Sequence, residues 1–290
     1  MTAPLRLATR GSRLARWQAS WVAARVEGPT ELVIVDTAGD RRPDVPLSSI
    51  GGQGVFVKEV QAAVLAGDAD AAVHSAKDLP AETPPGLVLA AIGEREDPRD
   101  ALVGARLDDI PRGGVVATGA ARRRALLASR RPDLRFAELR GNIATRLDKA
   151  AGFDAIVMAL AALRRLSLEE RVAEALDPSW FVPQVGQGAI AVECRADDGP
   201  TRARLATVED APTRTAVTAE RAFLATLGGG CTLPVGGYAV VGPSGGLTLH
   251  AVLAASEQGP VLRRTASGED PAALGAAVAA ALLAEAPAAG

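Results

Sequence analysis

The sequence predicts an α/β protein with largely parallel sheets that ends in a small α+β domain, and three observations carry that expectation. Short apolar runs of strand length alternate with stretches of helical period over most of the chain, the pattern of strands joined by crossover helices. The 290 residues stand at the limit of about 250 to 300 for one hydrophobic core, so two or three domains are expected. From Tyr238 onward the pattern changes to strand-like runs followed by an alanine-rich helical stretch.

Leu5 to Thr9 reads as the first strand. Ser12 is placed to cap the helix that follows, whose apolar positions Leu14, Trp17, Trp21, Val22 and Val26 recur at helical spacing. Arg10 then falls between a strand end and a helix start, where open parallel sheets bind ligands and the helix N-terminus favours an anion. A solvated loop arginine is the alternative. Glu31 to Val35 is the second strand, followed by a polar stretch, a glycine-rich turn at Gly51-Gly52-Gln53-Gly54 and a helix from Val55 to Leu65. This segment reads as an active-site loop, without the glycine spacing or terminal Lys-Ser/Thr of a phosphate-binding loop.

Ala71 to Val73 is a short strand that delivers His74-Ser75-Ala76-Lys77-Asp78 to its carboxyl end. An adjacent lysine and aspartate suit acid/base work there. The lysine holds the carboxylate ionised, and the carboxylate stabilises a developing cation or passes a proton to a departing amine. A solvent-exposed ion pair is the alternative. His74 has no triad or metal partner near it in sequence and is read as structural.

Glu94 to Asp100 is charged and turn-rich, a hinge into a second α/β unit with strands at Gly114 to Thr118, Phe136 to Leu139 and Asp154 to Ala159. Arginines follow each strand: Arg122, Arg123 and Arg124, then Arg140 and Arg146, then Arg164 and Arg165. Such repetition lines one sheet edge with guanidinium groups, which take carboxylates or phosphates bidentately and stay charged when desolvated. Arg124, Arg130 and Arg131 are read as coating helices.

Pro183 to Gly188 is a second break, before a strand from Ala189 to Glu193 and a polar loop from Arg195 to Arg204. A helix from Thr213 to Leu227 leads into Gly228-Gly229-Gly230-Cys231-Thr232-Leu233-Pro234. Glycines strip side chains from around that sulfur, so the thiol is open to a bulky partner; a tight turn holding a buried apolar cysteine is the alternative. Strands at Tyr238 to Val241, Leu247 to Leu253 and Val261 to Thr265, with a helix from Pro271 to Ala284, complete the tail.

Composition excludes several classes. Cys194 and Cys231 cannot make a disulfide framework, and with His74 and His250 the only histidines no metal site is expected. No secretory signal begins the sequence and no run approaches the roughly 20 apolar residues of a membrane span, so a cytoplasmic protein without a membrane partner is expected. A net charge of -2 and few aromatics, none interleaved with the arginines, argue against nucleic acid.

Several motifs stand in order along the chain: Leu7-Ala8-Thr9-Arg10-Gly11-Ser12 with Trp17-Gln18, Gly54-Val55-Phe56-Val57-Lys58-Glu59, Ala72 to Asp78 and Glu94 to Asp100. Leu139-Arg140-Gly141-Asn142 with Thr145-Arg146, Val185 to Gly188, Glu193-Cys194-Arg195, Ala219-Glu220-Arg221 and Gly229-Gly230-Cys231 follow. On these motifs the chain resembles the porphobilinogen deaminase, or hydroxymethylbilane synthase, family over essentially its whole length.

The resemblance implies three domains, 1–92 with 188–206, 93–187, and 207–290. The first two would be periplasmic-binding-protein-like lobes and the third a small α+β domain. It implies a transferase of tetrapyrrole and heme biosynthesis that deaminates porphobilinogen and joins four molecules of it head to tail, releasing hydroxymethylbilane and ammonia. The cofactor would be a dipyrromethane primer bound covalently through Cys231. Asp78 and Lys77 would be catalytic. Arg10, Ser12, Ser75, Lys77, Asp78, Thr118, Arg122, Arg123, Arg140, Asn142, Arg146, Arg165 and Gln187 would bind cofactor or substrate, whose rings each bring an acetate and a propionate. A monomer is expected on the same resemblance.

Two departures stand out. Where the family has a Thr-Ser-Ser-Leu-Arg-Arg run, this chain has Thr118-Gly119-Ala120-Ala121-Arg122-Arg123, and where the glycine-rich loop has lysines it has Ser49 and Gln53. A lost neutral hydrogen bond costs about 0.5 to 1.5 kcal/mol and a charged one about 1.5 to 3, which is compatible with slower elongation and intact chemistry at Cys231 and Asp78. The second reading is a divergent relative with reduced catalysis, acting as a two-lobed small-anion binding protein. Fold alone permits it, but it leaves Cys231 and Lys77-Asp78 without a role.

Overall fold

The computed structural model describes residues 3–37, 57–228, 234–243, 245–257 and 259–286. Cys231 and the glycine-rich loop with Ser49 and Gln53 lie outside the described residues. The chain divides into two compact units, Met1–Glu96 with Ala189–Arg214, and Asp97–Gly188 with Thr215–Gly290.

In chain order the elements are β1 (Leu5–Arg10), α1 (Arg13–Ala23), β2 (Thr30–Val35), α2 (Lys58–Leu65), β3 (Ala71–Ser75), β4 (Leu87–Ile92) and β5 (Asp100–Val103). Next come β6 (Val115–Ala117), α3 (Ala121–Arg130), β7 (Arg135–Ala137), α4 (Ile143–Lys149), β8 (Ala155–Ala159), α5 (Leu160–Arg165) and β9 (Val172–Ala175). The chain closes with β10 (Ile190–Arg195), α6 (Gly199–Leu205), α7 (Ala211–Thr226), β11 (Val235–Val241), β12 (Leu247–Ala254), β13 (Val261–Gly268) and α8 (Pro271–Glu285).

The first unit holds a sheet of order β2-β1-β3-β10-β4. β1, β2 and β3 pair in parallel, while β10 runs antiparallel to both its neighbours. Because side chains alternate across a strand, Leu5 and Leu7 share one buried cluster with Ala19 and Val22 of α1, and Ala8 joins Val60 and Val64 of α2 in another. Each such apolar side chain contributes about 1.5 to 3 kcal/mol when fully buried. Ser12 caps α1, its Oγ accepting from Ala15 N at 3.2 Å.

The second unit repeats the plan with the order β7-β6-β8-β5-β9, where β6, β7 and β8 are parallel and β5 is antiparallel to β8 and β9. Leu126 and Leu127 of α3 pack with Val116 and Val157, and Leu160 and Leu163 of α5 pack with Ile156 and Met158 on the other alternation. A separate antiparallel sheet, β11-β12-β13, buries Leu249 and Ala251 with Phe223 of α7 and Val278 of α8. The architecture is thus mixed α/β, with two mixed-sheet lobes and a small C-terminal sheet backed by helices.

The stretch from Arg195 to Arg204, expected as a polar loop, instead contains α6. Asp198 caps it by accepting from Thr201 N at 3.0 Å, and Pro200 fits the first turn, where its missing N–H has no partner to lose. Among the described residues no helix is long and apolar enough to cross a membrane.

Candidate active site

In the first unit the site follows from strand order. β1 and β3 are parallel neighbours, with Leu7 opposite Ala71 and Ala8 opposite Ala72. Their carboxyl ends therefore bring Arg10 and Ser12 beside Ser75 and the short turn Ala76–Asp78, although the two motifs are far apart in sequence. Ligands bind at such strand ends in open α/β sheets. Arg10, Ser12, Gln18, His74, Ser75 and Asp78 line a cavity of about 50 Å³. Lys77 lies half-buried on the same turn but outside that lining.

Two buried side chains fix this wall. Gln18 of α1 donates from Nε2 to Ser75 Oγ at 2.8 Å. Glu193 of β10 accepts from Gln61 Nε2 at 2.8 Å, and His74 Nε2 lies 3.3 Å from the same carboxylate oxygen without hydrogen-bond geometry. Neither Gln18 nor Glu193 is singled out as a site residue by sequence. The signal for Gln18 is its position on the buried face of α1, six residues beyond the cap. Cys194 is buried, which pushes its thiol up to about 11 and leaves it un-ionised at neutral pH.

In the second unit Arg122, Arg123 and Gln187 converge on one acid that sequence reasoning passed over. Asp100 is fully buried and receives Arg122 Nη2 and Arg123 Nη2, each at 2.7 Å, with Gln187 Nε2 at 3.1 Å. Arg122 also donates to the Val182 carbonyl and Arg123 to the Val157 carbonyl. Burial alone would raise the Asp100 pKa, but attraction by Arg122 and then Arg123 outweighs it and holds the carboxyl well below the usual carboxylate range. Two guanidinium groups against one carboxylate leave a surplus of positive charge at this end of β8.

Of the remaining predicted residues, Arg140, Asn142, Arg146 and Arg165 lie at α4 and α5, and Thr118 lies between β6 and α3. Asn142 caps α4, its Oδ1 accepting from Thr145 N at 3.0 Å. Gly141 before it has φ +117, and a Cβ there would meet Thr145 Cγ2 at 2.7 Å, so only glycine fits between Arg140 and Asn142. Arg146 donates from Nε to the Gly141 carbonyl at 2.7 Å, and Arg140 from Nε to Glu138 Oε1 at 2.9 Å. Arg165 is buried and donates from Nη2 to the Gly188 carbonyl at 2.6 Å. Thr118 Oγ1 accepts from Ala120 N at 3.2 Å. Among the described residues no group of His, Cys, Asp or Glu is placed to hold a metal ion.

Two family models match this chain. The porphobilinogen deaminase, dipyromethane cofactor binding domain, covers residues 5–203, and the porphobilinogen deaminase C-terminal domain covers 214–284. Porphobilinogen deaminase of Brevibacillus brevis is 46% identical over 290 residues, spanning 97% of this chain and 94% of that protein. The Nitratidesulfovibrio vulgaris protein of the same name is 46% identical over 272 residues, 90% of this chain and 86% of the relative. A TRAP periplasmic solute-binding protein from Ralstonia eutropha aligns with a TM-score of 0.41 at 12% identity, over 78% of this chain and 82% of that one.

Proposed function

The chain belongs to the porphobilinogen deaminase family, and from that premise we propose how its residues divide the work. The family's reaction is the deamination and head-to-tail polymerisation of porphobilinogen on a dipyrromethane primer, with release of hydroxymethylbilane and ammonia. The reading as an anion-binding protein without catalysis is not favoured, because both family models and the relatives named above point to the enzyme.

The observation that carries the assignment of roles is the cavity in which Arg10, Ser12 and Ser75 stand with Asp78 at two adjacent parallel strand ends. Arg10 takes a substrate carboxylate, helped by the N-terminus of α1, and Gln18 keeps the Ser75 hydroxyl aimed at the same region. Asp78, as a carboxylate, stabilises the positive charge that builds on the pyrrole as ammonia leaves. Lys77 stands beside it on the same short turn. Arg140 and Arg146 take further carboxylates of the growing chain. Arg122, Arg123 and Gln187 act with Asp100 as a rigid, electropositive base for that region, with Thr118, Asn142 and Arg165 fixing the backbone around it.

The surplus charge around Asp100 fits a polyanionic group such as dipyrromethane, whose carboxylates need cationic partners. When bound, that group supplies the anchored end to which successive pyrroles are joined. Cys231 is its attachment point in this proposal, and the protein works as a cytoplasmic monomer.

Intact mass under denaturing conditions tests the attachment. A mass exceeding the sequence mass by one dipyrromethane, and a Cys231→Ser variant without the excess, is the expected result. An unmodified mass after incubation with porphobilinogen or hydroxymethylbilane would sink it.

A further inference from the structure

Arg140 already holds a carboxylate supplied by its own chain. Glu138, exposed at the end of β7, accepts from Arg140 Nε through Oε1 at 2.9 Å and pairs through Oε2 with Arg124 Nη2. Arg124 is in turn held from the other side by Glu257 Oε2 at 3.1 Å, and its Nε donates to the Thr118 carbonyl at 2.9 Å. The position of Glu138 depends on an absence. A Cβ placed on Gly119 would stand 2.7 Å from Glu138 Oε1, too close for any real contact, whereas its other near neighbour, the Leu139 carbonyl, is 3.3 Å away. Gly119 brings no side chain of its own to this spot. The missing side chain and the resident carboxylate are therefore one feature: a bare Gly119 leaves the space that Glu138 fills.

We propose that Glu138 is a positioning and specificity residue, a built-in carboxylate that occupies Arg140 until the acetate or propionate of a pyrrole displaces it. The inference rests on the reading of Arg140 as a substrate-carboxylate contact. A competing internal carboxylate weakens binding by the free energy of its own ion pair. For an exposed pair that energy is small, so removing Glu138 lowers the KM for porphobilinogen by about twofold to fivefold. Turnover stays within about twofold, because Glu138 does not touch the reacting atoms.

Three variants test this, each first checked for an unchanged thermal midpoint. Glu138→Gln removes the charge and keeps the shape. Gly119→Ala adds only the Cβ that pushes the flexible carboxylate aside, and should act in the same direction, with no further gain in the double variant. Arg140→Gln should raise KM. A second readout needs no turnover: modification of Arg140 by phenylglyoxal, mapped by mass spectrometry in protein without substrate, should be several-fold faster in Glu138→Gln. An unchanged KM and labelling rate in Glu138→Gln, or a raised KM, would overturn the proposal, the latter meaning that Glu138 holds Arg140 in its productive pose. An unchanged KM in Arg140→Gln would instead overturn the substrate-contact reading, and the proposal with it. If Gly119→Ala fails to fold, Glu138→Gln alone decides.

Discussion

Arg122 Nη2 donates to Asp100 Oδ2 at 2.7 Å with both side chains buried, and that pair ties the start of α3 to the start of β5. Arg123 takes the other oxygen of the same carboxylate, and Gln187 reaches it from a segment 87 residues away. A single acid thereby fixes three separate stretches of the second unit. Breaking a buried ion pair leaves charge without a partner, so its removal costs more than the pair contributes.

Asp100→Asn should accordingly lower stability by about 3 to 5 kcal/mol, read from the denaturant midpoint. The acid limb gives an independent check. The Asp100 carboxyl is held below its ordinary 3.8 in the folded state, chiefly because the Coulombic pull of Arg122 and Arg123 overcomes desolvation. A depressed folded pKa means that the stabilisation is complete above that ordinary value and is lost as pH falls through and below it. The native protein should therefore lose stability steeply below about pH 4, and the variant should show a flatter dependence over the same range. Equal slopes would remove Asp100 as a source of acid sensitivity.

Gly275, inside α8, sets two effects against each other. Alanine is the better helix former by about 0.8 to 1.0 kcal/mol. Yet a Cβ there would meet the Ala219 carbonyl oxygen at 2.2 Å and Phe223 N at 2.7 Å, both backbone atoms of α7 that cannot swing away. Overpacking of this kind costs about 1 to 3 kcal/mol or more, so steric strain wins. Gly275→Ala should lower the thermal midpoint by several degrees, and a rise would show that α8 can withdraw from α7 at little cost.

Where local pattern decides conformation, the sequence was readable. β1, the Ser12 cap, the strand from Ala71 that delivers His74 and Ser75, though it runs two residues beyond the expected Val73, and the three strands of the C-terminal sheet need only alternation and a capping hydroxyl to be seen. Arg10, Ser12, Ser75 and Asp78 were legible as motifs, but their convergence depends on β1 and β3 being neighbours, which no local pattern encodes. β4, β5 and β9 were missed. β5 opens on the acid of a charged, turn-rich stretch, and the partners that make Asp100 tolerable inside a sheet lie 22, 23 and 87 residues away. Gln61 escaped notice for the same reason, since its partner Glu193 is 132 residues distant.

Gln61→Leu should therefore destabilise the first unit although nothing near it in sequence suggests so. It would strip the donor from a buried carboxylate, and a hydrogen bond to a charged group contributes about 1.5 to 3 kcal/mol. Urea unfolding is the measurement. A loss below about 0.5 kcal/mol would mean that His74, 3.3 Å from the same oxygen, turns to take over the bond.

Asp78 provides the sharpest test of the chemistry. Asp78→Asn keeps the volume on the cavity wall and removes the charge, while Arg10, Ser12 and Ser75 remain in the lining. If the carboxylate stabilises the cation formed as ammonia departs, the loss falls on the transition state and not on binding. Turnover should drop by about a hundredfold to ten-thousandfold, with KM changed only a few-fold and the thermal midpoint preserved. Rapid-quench measurement of ammonia release places the loss in the deamination step. Wild-type turnover in Asp78→Asn would remove the carboxylate from the mechanism, and a raised KM at unchanged turnover would make Asp78 a binding group.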